Sequence, residues 1–534
     1  MTATATATGT GAGAGAGTAT GTVTTAAAPG PAASGGTWPG GGPAVWPDAG
    51  VTATSPTGSP VGFTTASPAD IPSAIAAGFG PAPGPGASPV GWSGQSVVLH
   101  PADPSILLAH GIGSQHDLPI SPFYAFAGAF TALFVSFLAL GLLWSVSRFR
   151  GDRSGLALPA GFQRVADAPA TRLVLRGLGL AAALAVLLHL LLGPDDPTRN
   201  PAPGAVYVLF WVGLVPTSLL LGPVWRLVNP LRTLHRLLSR GRARLLGRPP
   251  GPGRPLPARL GQWPAAAGLF GFTWLELAAP DPASTTTLLI ALVGYASVHL
   301  LLAARHGERW FTDADAFEAY SDLLARLAVL GRRSDGRLVL RNPFHGLDAT
   351  PERPGLVATV CVLLGSTAYD GYSDNPSWIN VVQTSPLGRT PTATLGLLAS
   401  VALVAGLYCL CAAATRLVAG PHPGPLTAFA HSLVPIALGY LIAHYFSLLV
   451  TEGPRTVSIA LGTDNGPDPS PPMGPGGLAA LQVIAVVTGH VLGVIAAHDR
   501  SVRLFPPAKA VAGQLPLLAL MIAYTVGGLA LLLN

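Results

Sequence analysis

The sequence predicts an all-α, polytopic transmembrane helix bundle of about ten spans behind a disordered N-terminal arm. Composition is the first reason: 49% of the 534 residues are hydrophobic and only 10% charged, against about 25% charged in soluble domains. The second is that apolar runs recur from Phe123 to the C-terminus, most near the ~20 residues a bilayer crossing requires. The third is that the arginines segregate into alternate loops, as cytoplasmic loops demand.

Residues 1–100 consist mainly of Thr, Ala, Gly, Pro and Ser, without a lysine or arginine. Such a stretch cannot bury enough apolar surface to fold, so it is expected to be disordered. It lacks the basic start of a secretory signal peptide, and the first span is expected to insert and orient the chain. Residues 101–122 form an extracytoplasmic segment capping that span, with His110, His116 and Asp117 just outside the membrane.

The predicted spans are 123–147, 173–192, 205–225, 262–279, 284–304, 354–370, 392–418, 427–450, 478–497 and 515–533, the fourth and sixth being short. Together they make residues 123–534 the transmembrane bundle. Six arginines follow the first span (Arg148 to Arg176), nine lie in the loop 226–259 and eight in the loop 305–353; Arg416, Arg500, Arg503 and Lys509 join them. Only Arg199, Arg389 and Arg455 fall on the other side. This places both termini outside the cell membrane and makes the net charge of +6 a topology signal, not a nucleic-acid footprint. Within the basic loops, Arg226–Arg248 alternates Leu and Arg at helical spacing and is expected to lie along the anionic inner leaflet. Asp313–Leu330 opens on acidic residues suited to a helix start and reads as a docking helix.

The eighth span carries a polar row. Tyr440, His444, Ser447 and Thr451 are spaced for one helix face, and polar side chains in hydrocarbon should face protein or a wet cavity. With the predicted orientation, Glu276 (in FTWLELAAP), Asp370 (in GSTAYDGYSDNPSW) and His444 all fall in the outer leaflet. Glu276, Asp370, His444 and Tyr440 are therefore the catalytic candidates. An imidazole and two carboxylates could hold a divalent metal ion and activate water, so His444, Asp370, Glu276 and the deeper His490 are the candidate metal ligands. The plainer alternative puts Glu276 and Asp370 at headgroup level and has His444 bonding a neighbouring helix. A path through His444, His299, His490 and His498 would instead suit a transporter or channel, although no inverted repeat is visible. A scaffold role for the long arm is a further alternative.

Other chemistry is disfavoured. There is no phosphate loop, dinucleotide fingerprint or GxSxG elbow. DNGPD at 464–468 lacks calcium-loop spacing. Cys361, Cys409 and Cys411 all lie in apolar runs and read as packing residues.

The blocks LAHGIGSQHDLPIS, FTWLEL, ERWFTDADAFEAYSDLLARLA, GSTAYDGYSDNPSW, HSLVPIALGYLIAHYFSLLVTEG and GHVLGVIAAHDR together resemble the actinobacterial multi-pass membrane proteins known as fenitrothion hydrolases, over about residues 107–534. The resemblance implies a membrane-bound hydrolase that cleaves the aryl ester of an organophosphorothioate. It transfers no catalytic residues, so the site rests on the depth argument. The expected partners are the lipid bilayer and an apolar small-molecule substrate, with a partner subunit left open.

Overall fold

The computed structural model describes residues 122–247, 253–420, 425–463 and 473–533, and in the arm only 4–7, 19–22, 51–54 and 60–63. The chain divides into two units, 1–101 and 102–534. In the first, Thr4–Ala7 pairs antiparallel with Ala19–Thr22, and Val51–Thr54 with Pro60–Phe63. The remainder of the arm, the expected cap with His110, His116 and Asp117, and the 464–468 turn lie outside the described residues.

The second unit is the helix bundle. Its principal helices are α1 (Pro122–Leu143), α2 (Pro169–Leu192), α3 (Ala202–Leu221), α4 (Pro230–Leu246), α5 (Trp263–Leu277) and α6 (Thr285–His306). They continue with α7 (Ala316–Ala325), α8 (Leu356–Ser373), α9 (Arg389–Ala419), α10 (Val434–Leu461), α11 (Pro475–Leu504) and α12 (Leu515–Leu533). Among the described residues, eight helical segments are long and apolar enough to cross a membrane, and they coincide with eight of the ten predicted spans. The fourth and sixth predicted spans are α5 and α8, helices of 15 and 18 residues. Both bury most of their residues, whereas spans such as α2 and α6 turn Leu, Val and Ile outward to the space that lipid would fill.

The arginine-rich loops meet at one end of the bundle, as their segregation in sequence requires. Asp499 accepts from the Trp144 indole, the Ser147 hydroxyl and the Arg148 backbone. Arg341 pairs with Asp152, and Arg500 with Asp348 and Glu352. A small antiparallel sheet of Leu156–Ala157, Leu338–Leu340 and Leu330–Arg332 also lies in these loops. At the opposite end Asp195 reaches across to accept from the Thr285 backbone at 2.7 Å. That hydrogen bond to the first turn of α6 holds its carboxyl below the usual range.

The predicted amphipathic helix 226–248 is broken at Asn229, whose side chain accepts from the Leu231 and Arg232 backbones, with Pro230 in the first turn and Gly247 (φ 60) ending α4. The predicted docking helix starts later than expected because Asp315 accepts from Glu318 N–H at 2.8 Å and caps α7. Its docking surface is nearly its whole circumference, since every residue of α7 except Asp322 is buried. Buried Arg232 of α4 grips Glu318 through two 2.8 Å hydrogen bonds and also donates to Thr312 at 3.1 Å. This network fastens α4 to α7.

The long helices α10 and α11 cross closely. A Cβ on Gly489 would stand 2.5 Å from the Pro435 carbonyl, and one on Gly439 would stand 2.6 Å from that of Ala485. Small residues allow this approach where lipid supplies no hydrophobic drive between helices. Gly489→Ala is expected to force the helices apart and destabilise by about 1–3 kcal/mol, read as a lower thermal midpoint in detergent; an unchanged midpoint would refute the close packing.

Candidate functional site

The site is built by the two short helices. Their starts are side by side at the basic end: Gln262 N–H donates to the Pro354 carbonyl at 2.7 Å, and Gly261 lies so close to Pro354 that a side chain there would collide. Gly355 adopts φ +85 against the Trp263 backbone, a left-handed conformation that favours glycine. From this junction α5 and α8 run together into the bundle. Glu276 on α5 and Asp370 on α8 lie at matching distances along them, roughly 20 Å at 1.5 Å per residue. Glu276 is 2% exposed and Asp370 1%. They are close enough for each charge to act on the other.

The long helix α10 delivers the remaining groups. His444 Nε2 lies 2.7 Å from Asp370 Oδ2, and the Tyr445 hydroxyl donates to the same oxygen at 2.6 Å. His444 and Tyr445 stand edge to face, with ring centroids 4.8 Å apart. The His444 side chain keeps 14% of its surface exposed, against 1% for Asp370, so the imidazole is the accessible edge of an otherwise enclosed cluster.

The second wall comes from α3 and α7. Ala205–Val212 of α3 is a π-helix, closed by a Gly213 N–H to Val208 carbonyl hydrogen bond of 3.0 Å; such wide turns are rare and often found at functional sites. It turns both Tyr207 and Trp211 inward. Trp211 stacks on Tyr320 of α7 at 4.4 Å and touches Phe272, one turn before Glu276, at 5.0 Å between centroids. Glu276 Oε2, Trp211 Nε1 and the Tyr320 hydroxyl are buried with no hydrogen-bond partner among the described residues. Since the charge of Glu276 reaches the hydroxyls of Tyr320 and Tyr445, these groups share one neighbourhood. Buried polar atoms are nearly always paired, so unpaired donors and an acceptor gathered beside Asp370 mark a place suited to water or a polar ligand group.

No family model, curated protein or solved structure matches the chain. The geometry alone therefore carries the assignment. It sets His444 against Asp370, with Glu276 near Asp370, and adds Tyr445, Trp211 and Tyr320. Tyr440, also predicted, shares a helix face with His444 but donates its hydroxyl to the Tyr524 carbonyl of α12 at 2.5 Å. The expected metal set does not come together: no group of three His, Cys, Asp or Glu among the described residues could hold a metal ion. His490 bonds the Val486 carbonyl of its own helix at 2.8 Å and packs edge-on against Tyr440 at 5.6 Å.

The other histidines of the predicted path bond groups close to them. His299 accepts from the Trp310 indole at 3.1 Å. His498 is held between the Gln514 side chain and the Trp144 carbonyl. Ser366, Thr367 and Thr451 spend their hydroxyls on carbonyls of their own helices. On the basic side of Asp370, the run Val360–Leu364 of α8 is wholly buried and apolar.

Proposed function

We propose that the chain is a membrane-embedded hydrolase of neutral, apolar esters, with phosphotriesters as the substrate class. The observation that carries this reading is the 2.7 Å contact between His444 and buried Asp370. A carboxylate fixed against an imidazole orients the ring and stabilises the imidazolium formed when it takes a proton. His444 removes a proton from water, the water oxygen bonds to phosphorus, the aryl ester bond breaks in line, and the aryl oxide leaves with the bonding pair. Trp211 and Tyr320 are placed to donate toward phosphoryl oxygen, and Glu276 Oε2 to accept from the water. Tyr445 shares the charge of Asp370 and keeps its carboxylate in place. An apolar ester dissolved in the bilayer would meet the exposed edge of His444 first.

Among the described residues no three metal-ligating side chains converge, and no step is assigned to a metal ion. The apolar layer on α8 favours this reading over a transport path. Proteoliposomes distinguish the two, with nitrophenol release from an aryl phosphotriester measured alongside decay of an imposed pH gradient. Release without gradient decay is expected. Gradient decay that disappears in His490→Ala, with no release, would overturn the hydrolase in favour of the conduit.

A further inference from the structure

The junction of α2 with α4 has more positive charge than its carboxylates can balance. Just ahead of α4, the Val228 carbonyl lies against Gly179 of α2, too close for any side chain. One turn before Gly179, Arg176 is only partly exposed; the charges of Arg236, Arg172 and Arg240 act against it, and of the acids only Glu308 acts in its favour, from beyond ion-pair distance. The nearby acids are already engaged. Asp167 takes Arg172 at 3.3 Å and Arg332 at 2.8 Å. Glu308 is clasped by Arg236 and by Arg232. Among the described residues, Arg176 and Arg240 have no carboxylate within ion-pair distance, nor do Arg242 and Arg244 on the next turn of α4.

Beside this cluster α4 exposes an apolar face. Leu237, Leu238, Gly241, Leu245 and Leu246, with Arg242, line an open groove of about 600 Å³, and Leu245 is 88% exposed. Two arginines without an ion pair among the described residues, one of them on a membrane-spanning helix, stand next to leucines lacking protein cover. Both deficits are met by one molecule carrying an anionic phosphodiester and acyl chains.

We propose that the junction of α2 and α4 binds the headgroup of an anionic phospholipid, with Arg176 and Arg240 on the phosphodiester and the exposed leucines of α4 in the acyl region. The site is separate from the hydrolytic cluster, so either proposal can fail without the other. The test is native mass spectrometry of the full chain in detergent, titrated with phosphatidylglycerol or phosphatidylcholine. Wild type is expected to retain phosphatidylglycerol roughly tenfold or more better. Arg176→Gln with Arg240→Gln is expected to erase that preference, Arg240→Gln alone to weaken it, and Arg332→Gln, in the Asp167 pair, to leave it intact. Because Arg240 is exposed, its single variant keeps the test valid should the double variant misfold. Equal retention of the two lipids, or a preference surviving in Arg240→Gln and the folded double variant, would overturn the proposal. Displacement of phosphatidylglycerol by millimolar inorganic phosphate would also overturn it, in favour of a free-anion site.

Discussion

Changing His444 to Ala is expected to lower phosphotriester hydrolysis by roughly 10²–10⁴-fold, the usual contribution of a positioned general base. Asp370→Asn should give a loss of similar size, since it preserves shape while removing the charge 2.7 Å from the imidazole. Tyr445→Phe should cost less, roughly tenfold, because one hydrogen bond to a charged group is lost and the carboxylate stays. Tyr440→Phe should leave the rate unchanged, as its hydroxyl serves the Tyr524 carbonyl. Nitrophenol release by protein in nanodiscs measures all four. Hydrolysis at the wild-type rate by a protein with Asp370 and His444 both changed to Ala would remove the mechanism.

The second large effect concerns stability. Arg232→Ala would strand Glu318, which is 5% exposed, and removing one member of a buried ion pair costs about 3–5 kcal/mol. Replacing Arg232 and Glu318 together with Met and Leu should cost far less, because no charge is left uncompensated. Equal losses in the single and double variants would show that the pair is not what fastens α4 to α7. Asp315 beside them adds a pH dependence. Burial, and then the charge of Glu318, pushes its carboxyl up to about 7 from 3.8. Between those values the folded chain keeps a proton that the unfolded chain has released. The contribution of Asp315 to stability is therefore fullest below about pH 4, falls by roughly 4 kcal/mol as pH rises to about 7, and is level above it. Asp315→Asn should flatten that slope in thermal melts across the range.

The class of fold and the positions of the spans were legible because hydropathy dictates both. The shared depth of Glu276 and Asp370 was legible too, since FTWLEL and GSTAYD each put an acid near the end of a short apolar run. Tyr445 was not found because period reasoning kept the row of Tyr440 and His444 and discarded their neighbours, yet α8 packs where both His444 and Tyr445 can reach Asp370. The same row misled at Tyr440, which the adjacent α12 captures. Trp211 depends on a π-helical register that α-helix counting does not anticipate. Tyr320 lies on the segment read as a docking helix, and only tertiary packing sets it against Trp211. The metal expectation rested on residue types, which can be counted in a sequence, whereas their convergence cannot; among the described residues no three of them form a metal-holding group.

Two carboxylates suspended from one junction are referenced to each other and not to the bilayer. A helix that spans the hydrocarbon must tilt, or deform the lipid, when membrane thickness changes. Because α5 and α8 share their starting point at Gln262 and Pro354, such tilting in the surrounding spans leaves the spacing between Glu276 and Asp370 intact. The acid-bearing pair is thereby insulated from the lipid composition of the membrane that houses it.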